Sequence, residues 1–176
     1  MKYIQTSLLF IPLVSFSLFS ALSWADTPAQ GARELSISGA GSSDKEFNDN
    51  AFAMEVSYGY YLSPATTFGV RQLASVTDSE GNNSNWNGAT RFFYDYHLGQ
   101  ENLRPYLGIN IGYLYGESVE DTFIAGPELG LKYYVLQSTF VVGQLEYQVL
   151  FEDTSDANDR FDDGAYIYSI GMGYNF

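Results

Sequence analysis

The most constraining feature of this chain is a period of two that recurs eight times. Phe52, Met54, Val56, Tyr58 and Tyr60 alternate with Ala53, Glu55, Ser57 and Gly59. Leu107, Ile109, Ile111, Tyr113 and Tyr115 alternate with Gly108, Asn110, Gly112 and Leu114. A last run sets Tyr166, Tyr168, Ile170, Met172, Tyr174 and Phe176 against Ile167, Ser169, Gly171, Gly173 and Asn175. Noisier runs begin near Glu34, Thr66, Trp86, Phe123 and Phe140. In an extended strand successive side chains point to opposite faces, so each run is a strand with one apolar face. No window after Ala25 keeps a helical period. The reading is all-β, with eight strands of about ten residues.

The connectors alternate too. Those at Leu62 to Ala65, Gly99 to Arg104 and Leu136 to Ser138 are short. Those at Ser42 to Asn50, Asp78 to Asn85, Glu117 to Thr122 and Glu152 to Asp163 are longer and acidic. An even strand number, with turns at one end and loops at the other, predicts an eight-stranded antiparallel up-and-down transmembrane β-barrel whose turns face the periplasm. A soluble barrel would have to show water the second face, which is mostly Gly, Ala and Ser with large apolar residues such as Phe93 and Leu114. Charged residues make up only 16% of the chain, which is low for a soluble surface. Small residues instead suit the interior of an eight-stranded barrel, which is just wide enough for side chains to fill.

Aromatic residues fall in two bands on this scheme. Tyr58, Tyr60, Phe68, Tyr94, Tyr96, Tyr133, Tyr174 and Phe176 lie at the turn end, and Trp86, Tyr113, Tyr115, Phe123, Phe151, Tyr166 and Tyr168 at the loop end. Girdles of this kind form where amphipathic rings meet lipid headgroups. Pro127 has no backbone N–H to give a ladder, so a bulge or a locally unpaired position is expected near the outer end of strand six.

Before the strands, Lys2, the apolar stretch from Ile4 to Leu22 and the small residues of Ser23-Trp24-Ala25 read as a cleavable export signal. Residues 1–25 are then the signal peptide and 26–176 the barrel domain. With no Cys, a disulfide scaffold, a cysteine metal site and a lipid-anchored N-terminus are excluded. A net charge of −13 argues against nucleic acid, whose phosphates are bound through Lys and Arg.

The chain closes on Tyr174-Asn175-Phe176 after alternating aromatic and apolar residues. With these residues the mature sequence resembles the small eight-stranded outer-membrane barrels of Gram-negative bacteria, the class of the OmpA transmembrane domain and OmpX-like proteins. The resemblance implies that Tyr174 and Phe176 carry the signal read by the barrel assembly machinery, and that the protein is a monomer surrounded by outer-membrane lipid and lipopolysaccharide.

If the apolar face meets lipid, the residues left pointing inward include Glu55, Arg71, Arg91, Asp95, Glu128, Lys132 and Glu146, together with Gln144, Gln148 and His97. Glu55, Arg71, Arg91, Glu128 and Glu146 each lie about five to seven residues above the turn end, so at a rise of about 3.3 Å they share a layer. Mixed charges in a low-dielectric lumen must pair, because a lone buried ion costs several kcal/mol. The expected product is a plug. A narrow channel gated by rearranging Arg71, Arg91 and Glu128 is the alternative.

Small outer-membrane barrels also include lipid A modifying enzymes, and hydrolysis needs a nucleophile with a positioned base. The single His97 ends strand four at the turn side without a neighbouring Ser, so it reads as a rim or turn histidine and no catalytic residue is assigned. Gly39-Ala40-Gly41 lacks the third glycine and following helix of a phosphate loop. No cofactor is expected. Of 21 acids, 14 fall in the four long connectors, opposed there by Lys45 and Arg160 alone. The densest stretch holds Asp153, Asp156, Asp159, Asp162 and Asp163, oxygen donors of the kind hard cations prefer, although Arg160 stands where a calcium loop needs a ligand. A solvated, self-repelling loop is the plainer reading. Bridging by divalent cations to lipopolysaccharide, or contact with some other surface ligand, is the functional one.

Overall fold

The computed structural model describes residues 27–43, 49–79, 84–99, 102–117, 119, 121–151 and 164–176. The proposed signal, residues 1–25, and the acidic candidates Asp153, Asp156, Asp159, Asp162 and Asp163 lie outside them. Eight strands follow in order: β1 (Arg33–Ser43), β2 (Asp49–Ser63), β3 (Thr66–Ser79), β4 (Asn85–His97), β5 (Leu103–Gly116), β6 (Thr122–Tyr134), β7 (Thr139–Leu150) and β8 (Ala165–Asn175). Each pairs antiparallel with the next, and β1 pairs with β8, so the sheet closes into an up-and-down barrel. Closure pairs each strand on both sides along most of its length, as a strand protein in hydrocarbon requires; at the loop end of β1 and β8 the pairing stops at Gly39↔Ile170.

The period of two sorts the side chains. Leu35, Val56, Phe92, Ile109, Leu129 and Ile170 are exposed on the outer face, while Glu55, Arg71, Arg91, Glu128 and Glu146 are buried in the lumen. An apolar surface that runs all round a closed barrel is suited to lipid rather than water. Thirteen residues of β4 or β6 at about 3.3 Å each, tilted by about 40°, reach beyond a 25 Å apolar band.

The two aromatic bands stand on this outer face. At the turn end the rings of Tyr60 and Phe68 meet edge to face with centroids 5.8 Å apart, and Tyr174 stacks with Phe176 at 6.3 Å. At the loop end Tyr113 meets Phe123 at 5.1 Å and Trp86 meets Tyr115 at 6.2 Å.

The connectors differ from expectation. The strands run further than the apolar belt, so Asp49 and Asn50 belong to β2 and Asp78 and Ser79 to β3. The intervening segments 44–48, 80–84 and 117–121 are thereby cut to the length of the turn 98–102, and only 151–164 is long. Ladder hydrogen bonds satisfy backbone groups whether or not the side chains face lipid, so strand length outlasts the hydrophobic pattern that announces it.

Pro127 interrupts pairing without shifting it. Ala125↔Val149 and Glu128↔Glu146 share one register across β6 and β7, and Gly126 and Pro127 between them are unpaired on that side. It is therefore an unpaired position and not a bulge. On the β5 side the ladder is continuous through Ile109↔Pro127. Among the described strands the register shift lies elsewhere in the sheet, between Tyr61 and Ser63 beside the β2–β3 turn.

Inside, glycines make room for large rings. A Cβ on Gly69 would sit 2.6 Å from the Phe93 ring, and one on Gly130 would sit 2.2 Å from the Tyr106 ring. Phe93 and Tyr106 thus lie over the bare backbone of their cross-strand partners, Gly69 on β3 and Gly130 on β6.

Candidate functional site

The lumen holds two ion clusters stacked along the barrel axis. In the middle, Arg71 of β3 donates to both carboxylate oxygens of Glu128 on β6, at 2.6 and 2.7 Å. Its Nη2 also lies 3.4 Å from Asp95 of β4, and its Nε lies 4.0 Å from Glu55 of β2. Arg91 of β4 then joins Glu55 to Glu146 of β7 through one guanidinium nitrogen each. Six charged groups from five strands therefore form one connected network. Asn110 donates to Glu128 Oε2 at 2.8 Å, and the Arg71 guanidinium lies over the Phe93 ring, 4.1 Å from its centroid. Each fork can bond two acids because a guanidinium is planar and presents five donors.

Nearer the turn end Lys132 stands apart from that layer. Its Nζ donates to both oxygens of Glu34, at 2.6 and 2.7 Å, and Tyr61 donates its hydroxyl to the same carboxylate at 2.7 Å. The rings of Phe140, Tyr106 and Tyr61 surround the ammonium with centroids at 5.0, 5.5 and 5.8 Å. An ammonium held against ring faces gains from their quadrupoles most when water is excluded.

Every inward charged position named from the sequence lies in the lumen, but Lys132 belongs to a different cluster from the five residues assigned one layer. Glu34 and Arg104 are two lumen charges that the sequence reading missed. Both sit at strand starts, where they pass for turn residues, yet they share the parity of their strands' inward positions. Arg104 donates to the Pro64 carbonyl at 2.5 Å across the turn end, while its Nε and Nη1 are buried without hydrogen-bond partners.

His97 lies at the turn-end rim of the barrel and points inward. It is the last residue of β4, and its ring is buried between Tyr61 and Tyr106, with centroids 5.7 and 5.4 Å away. Neither ring nitrogen has a hydrogen-bond partner, so no described hydroxyl is positioned for it to activate. Among the described residues, no three His, Cys, Asp or Glu side chains are grouped to hold a metal ion.

Around and above the Arg91 layer the lumen is mixed, with Gln148, Gln144, Ser38 and Ser169 among small and apolar side chains. Ala40, Ala53, Leu73, Ala89, Leu114 and Ile167 line a cavity of about 60 Å³, with Arg91, Glu55 and Glu146 at its floor.

The barrel is similar in fold to the N-terminal β-barrel domain of Pseudomonas aeruginosa OprF, at 20% identity over 84% of this chain and 98% of that domain, with a TM-score of 0.50. The chain has the fold of that barrel. A de novo designed transmembrane β-barrel is also similar, at 13% identity over 86% of this chain and 99% of the design, with a TM-score of 0.43. No family model and no curated protein matches the sequence. The likeness to OprF is one of backbone architecture, so the roles of the lumen residues rest on their own geometry.

Proposed function

We propose that the chain is a monomeric, non-enzymatic protein of the Gram-negative outer membrane, whose plugged barrel contributes to envelope integrity and whose acidic loops meet the cell's surroundings. The observation that carries the reading is the connected network of Arg71, Arg91 and their four acids, which ties five strands together across the lumen. Paired ions in a narrow pore hold its walls together and occupy the space through which solute would pass. Tyr174 and Phe176 would carry the assembly signal. The loop acids, Asp153 to Asp163 above all, would contact lipopolysaccharide through bridging divalent cations, and calorimetry with Ca²⁺ and Mg²⁺ tests that; heat no greater than background removes it.

Planar-bilayer recording tests the plug itself. The refolded protein should show no large, steady conductance. A sustained open state would favour the second reading, a narrow ion channel, which draws its support from Arg71: three acids lie within 4.0 Å of it and could exchange as its partners. A lipid A modifying activity comes third, and unchanged lipid A mass spectra on overexpression dispose of it.

A further inference from the structure

The barrel is not equally closed all the way round. β1 and β8 pair from Glu34↔Asn175 up to Gly39↔Ile170 and no further. Yet β1 continues to Ser43, paired on its other side with β2 as far as Ser43↔Asn50. β8 in turn begins at Ala165, paired on its other side with β7 from Gln148↔Ala165. Ala40 to Ser43 and Ala165 to Ser169 therefore carry a ladder on one side each, and the seam between them is unzipped at the loop end.

Two further features meet at this seam. The lumen cavity, whose upper wall is mostly small and apolar but includes Gln148, is lined not only by inward residues but also by Gly39 and Tyr168, which occupy outward positions on the two seam strands, so the cavity reaches the outer surface between them. On that surface β1 presents Gly39 and Gly41, which carry no side chain, while their β2 partners are the exposed Met54 and Phe52. Across the seam stand Ile170 and Tyr168, 67% and 76% exposed. A furrow one strand wide thus runs between two apolar walls. With adjacent strands about 4.8 Å apart, the walls stand roughly 10 Å from one another, which accommodates a single hydrocarbon chain.

We propose that the furrow and seam form a lateral lipid site. One acyl chain of a bilayer lipid in the leaflet at the loop end lies along Gly39 and Gly41, and the end of the chain enters the lumen cavity between β1 and β8. The occupant follows from continuity: the furrow runs from the girdle at Tyr168 down past Ile170, where it opens into the hydrocarbon that the apolar side chains below the girdle are suited to meet. The entry is shallow. A cavity of about 60 Å³ takes only the last few groups of a chain, and the Arg91, Glu55 and Glu146 floor gives hydrocarbon nothing to gain by going deeper. Desolvating a chain end there strengthens the floor's ion pairs by keeping water out from above.

The inference rests on the membrane reading, and one experiment separates the two. The full chain is refolded into phosphatidylcholine vesicles containing a trace of phosphatidylcholine with a photoactivatable diazirine near the end of one acyl chain, and adducts are mapped by mass spectrometry. Adducts are expected on outward Tyr168 and Ile170 and also on lumen-facing Ile167 and Leu114, which a lipid confined to the outer face cannot reach. Gly39→Leu, which fills the furrow, should bring Ile167 and Leu114 labelling to background and leave the outward adducts elsewhere unchanged. Insertion with adducts spread evenly round the outer face and none in the lumen overturns the site alone. Lumen labelling abolished by free oleate but not by excess unlabelled phosphatidylcholine overturns the lipid as occupant in favour of a free fatty acid. A chain that shows no boiled-versus-unboiled gel shift and no protection from protease in the vesicles overturns the membrane reading itself.

Discussion

Arg71 and Glu128 face each other across the lumen with both guanidinium termini bonded to both carboxylate oxygens, 57 residues apart in sequence and buried on every side. The pair closes the middle of the barrel between β3 and β6, strands that are not neighbours in the sheet. Backbone ladders hold each strand to the next, whereas this pair and the bridges of Arg91 hold opposite walls. The lumen charges therefore act on the barrel's cross-section, which the ladders alone leave free to flatten.

Removing the hub of that network should weaken the barrel. Arg71→Ala leaves Glu128 and Asp95 buried without their cation, and breaking a buried pair in this way costs about 3–5 kcal/mol. The measurement is the urea midpoint of protein refolded in vesicles, followed by the gel shift between boiled and unboiled samples. An unchanged midpoint would show that the acids find other partners and that the network does not brace the wall.

The lower cluster should behave as an independent unit. Lys132→Met and Glu34→Gln each orphan one partner of a doubly bonded pair, and each should lower the urea midpoint. The double variant should be less damaging than the sum of the two, while either change combined with Arg71→Ala should show weaker coupling than that within the pair, because the two clusters share no hydrogen bond among the described residues. A double-mutant cycle reads both expectations. Equal coupling within and between clusters would mean that the lumen responds as a single unit.

Much of this was legible in the chain. The parity of Leu107, Ile109 and Ile111 puts every even residue of β5 inside the barrel, Arg104 included, and the parity of Leu35 and Ile37 does the same for Glu34. Both were missed because a charge at a strand's second residue is indistinguishable from a turn charge until the strand is known to begin before it. Choice of partner was less accessible. Lys132 and Glu34 meet across 98 residues, and a period of two assigns a face but not a neighbour across a lumen. The unzipped β1–β8 seam leaves no mark on the pattern at all, since Tyr166 and Tyr168 alternate as regularly as the paired Met172 and Tyr174. A missing ladder is a property of two strands, and periodicity describes one.

Glycine content is also divided by location. A Cβ on Gly69 would lie 2.1 Å from the Tyr58 carbonyl oxygen and 2.6 Å from the Phe93 ring, whereas one on Gly143 meets nothing within 4 Å. Gly69→Val should therefore destabilise the barrel by about 1–3 kcal/mol through overpacking and displace Phe93 from beneath Arg71. Gly143→Ala should be neutral or stabilise by up to about 1 kcal/mol, since a strand glycine is entropically unfavourable and the added methyl has room. The same urea titration separates them. Equal losses at both positions would place the constraint in the backbone rather than in the space beside it.

Arg104 offers a control on the argument that pairing, not charge, governs the lumen. It is as deeply buried as Arg71, but its one hydrogen bond goes to the Pro64 carbonyl, and no carboxylate lies within ion-pair distance of it among the described residues. Arg104→Met keeps the long apolar stem against Tyr61, removes two unpartnered nitrogens and leaves no acid without its cation. The loss of a carbonyl bond to a charged donor, worth about 1.5–3 kcal/mol, is then offset by the desolvation no longer borne by the guanidinium. Its urea midpoint should shift by less than that of Arg71→Ala or Lys132→Met, although all three remove one positive charge. If Arg104→Met proves as damaging as Arg71→Ala, net charge in the lumen matters more than the identity of the pairs, and the reading of a plug built from specific partners fails.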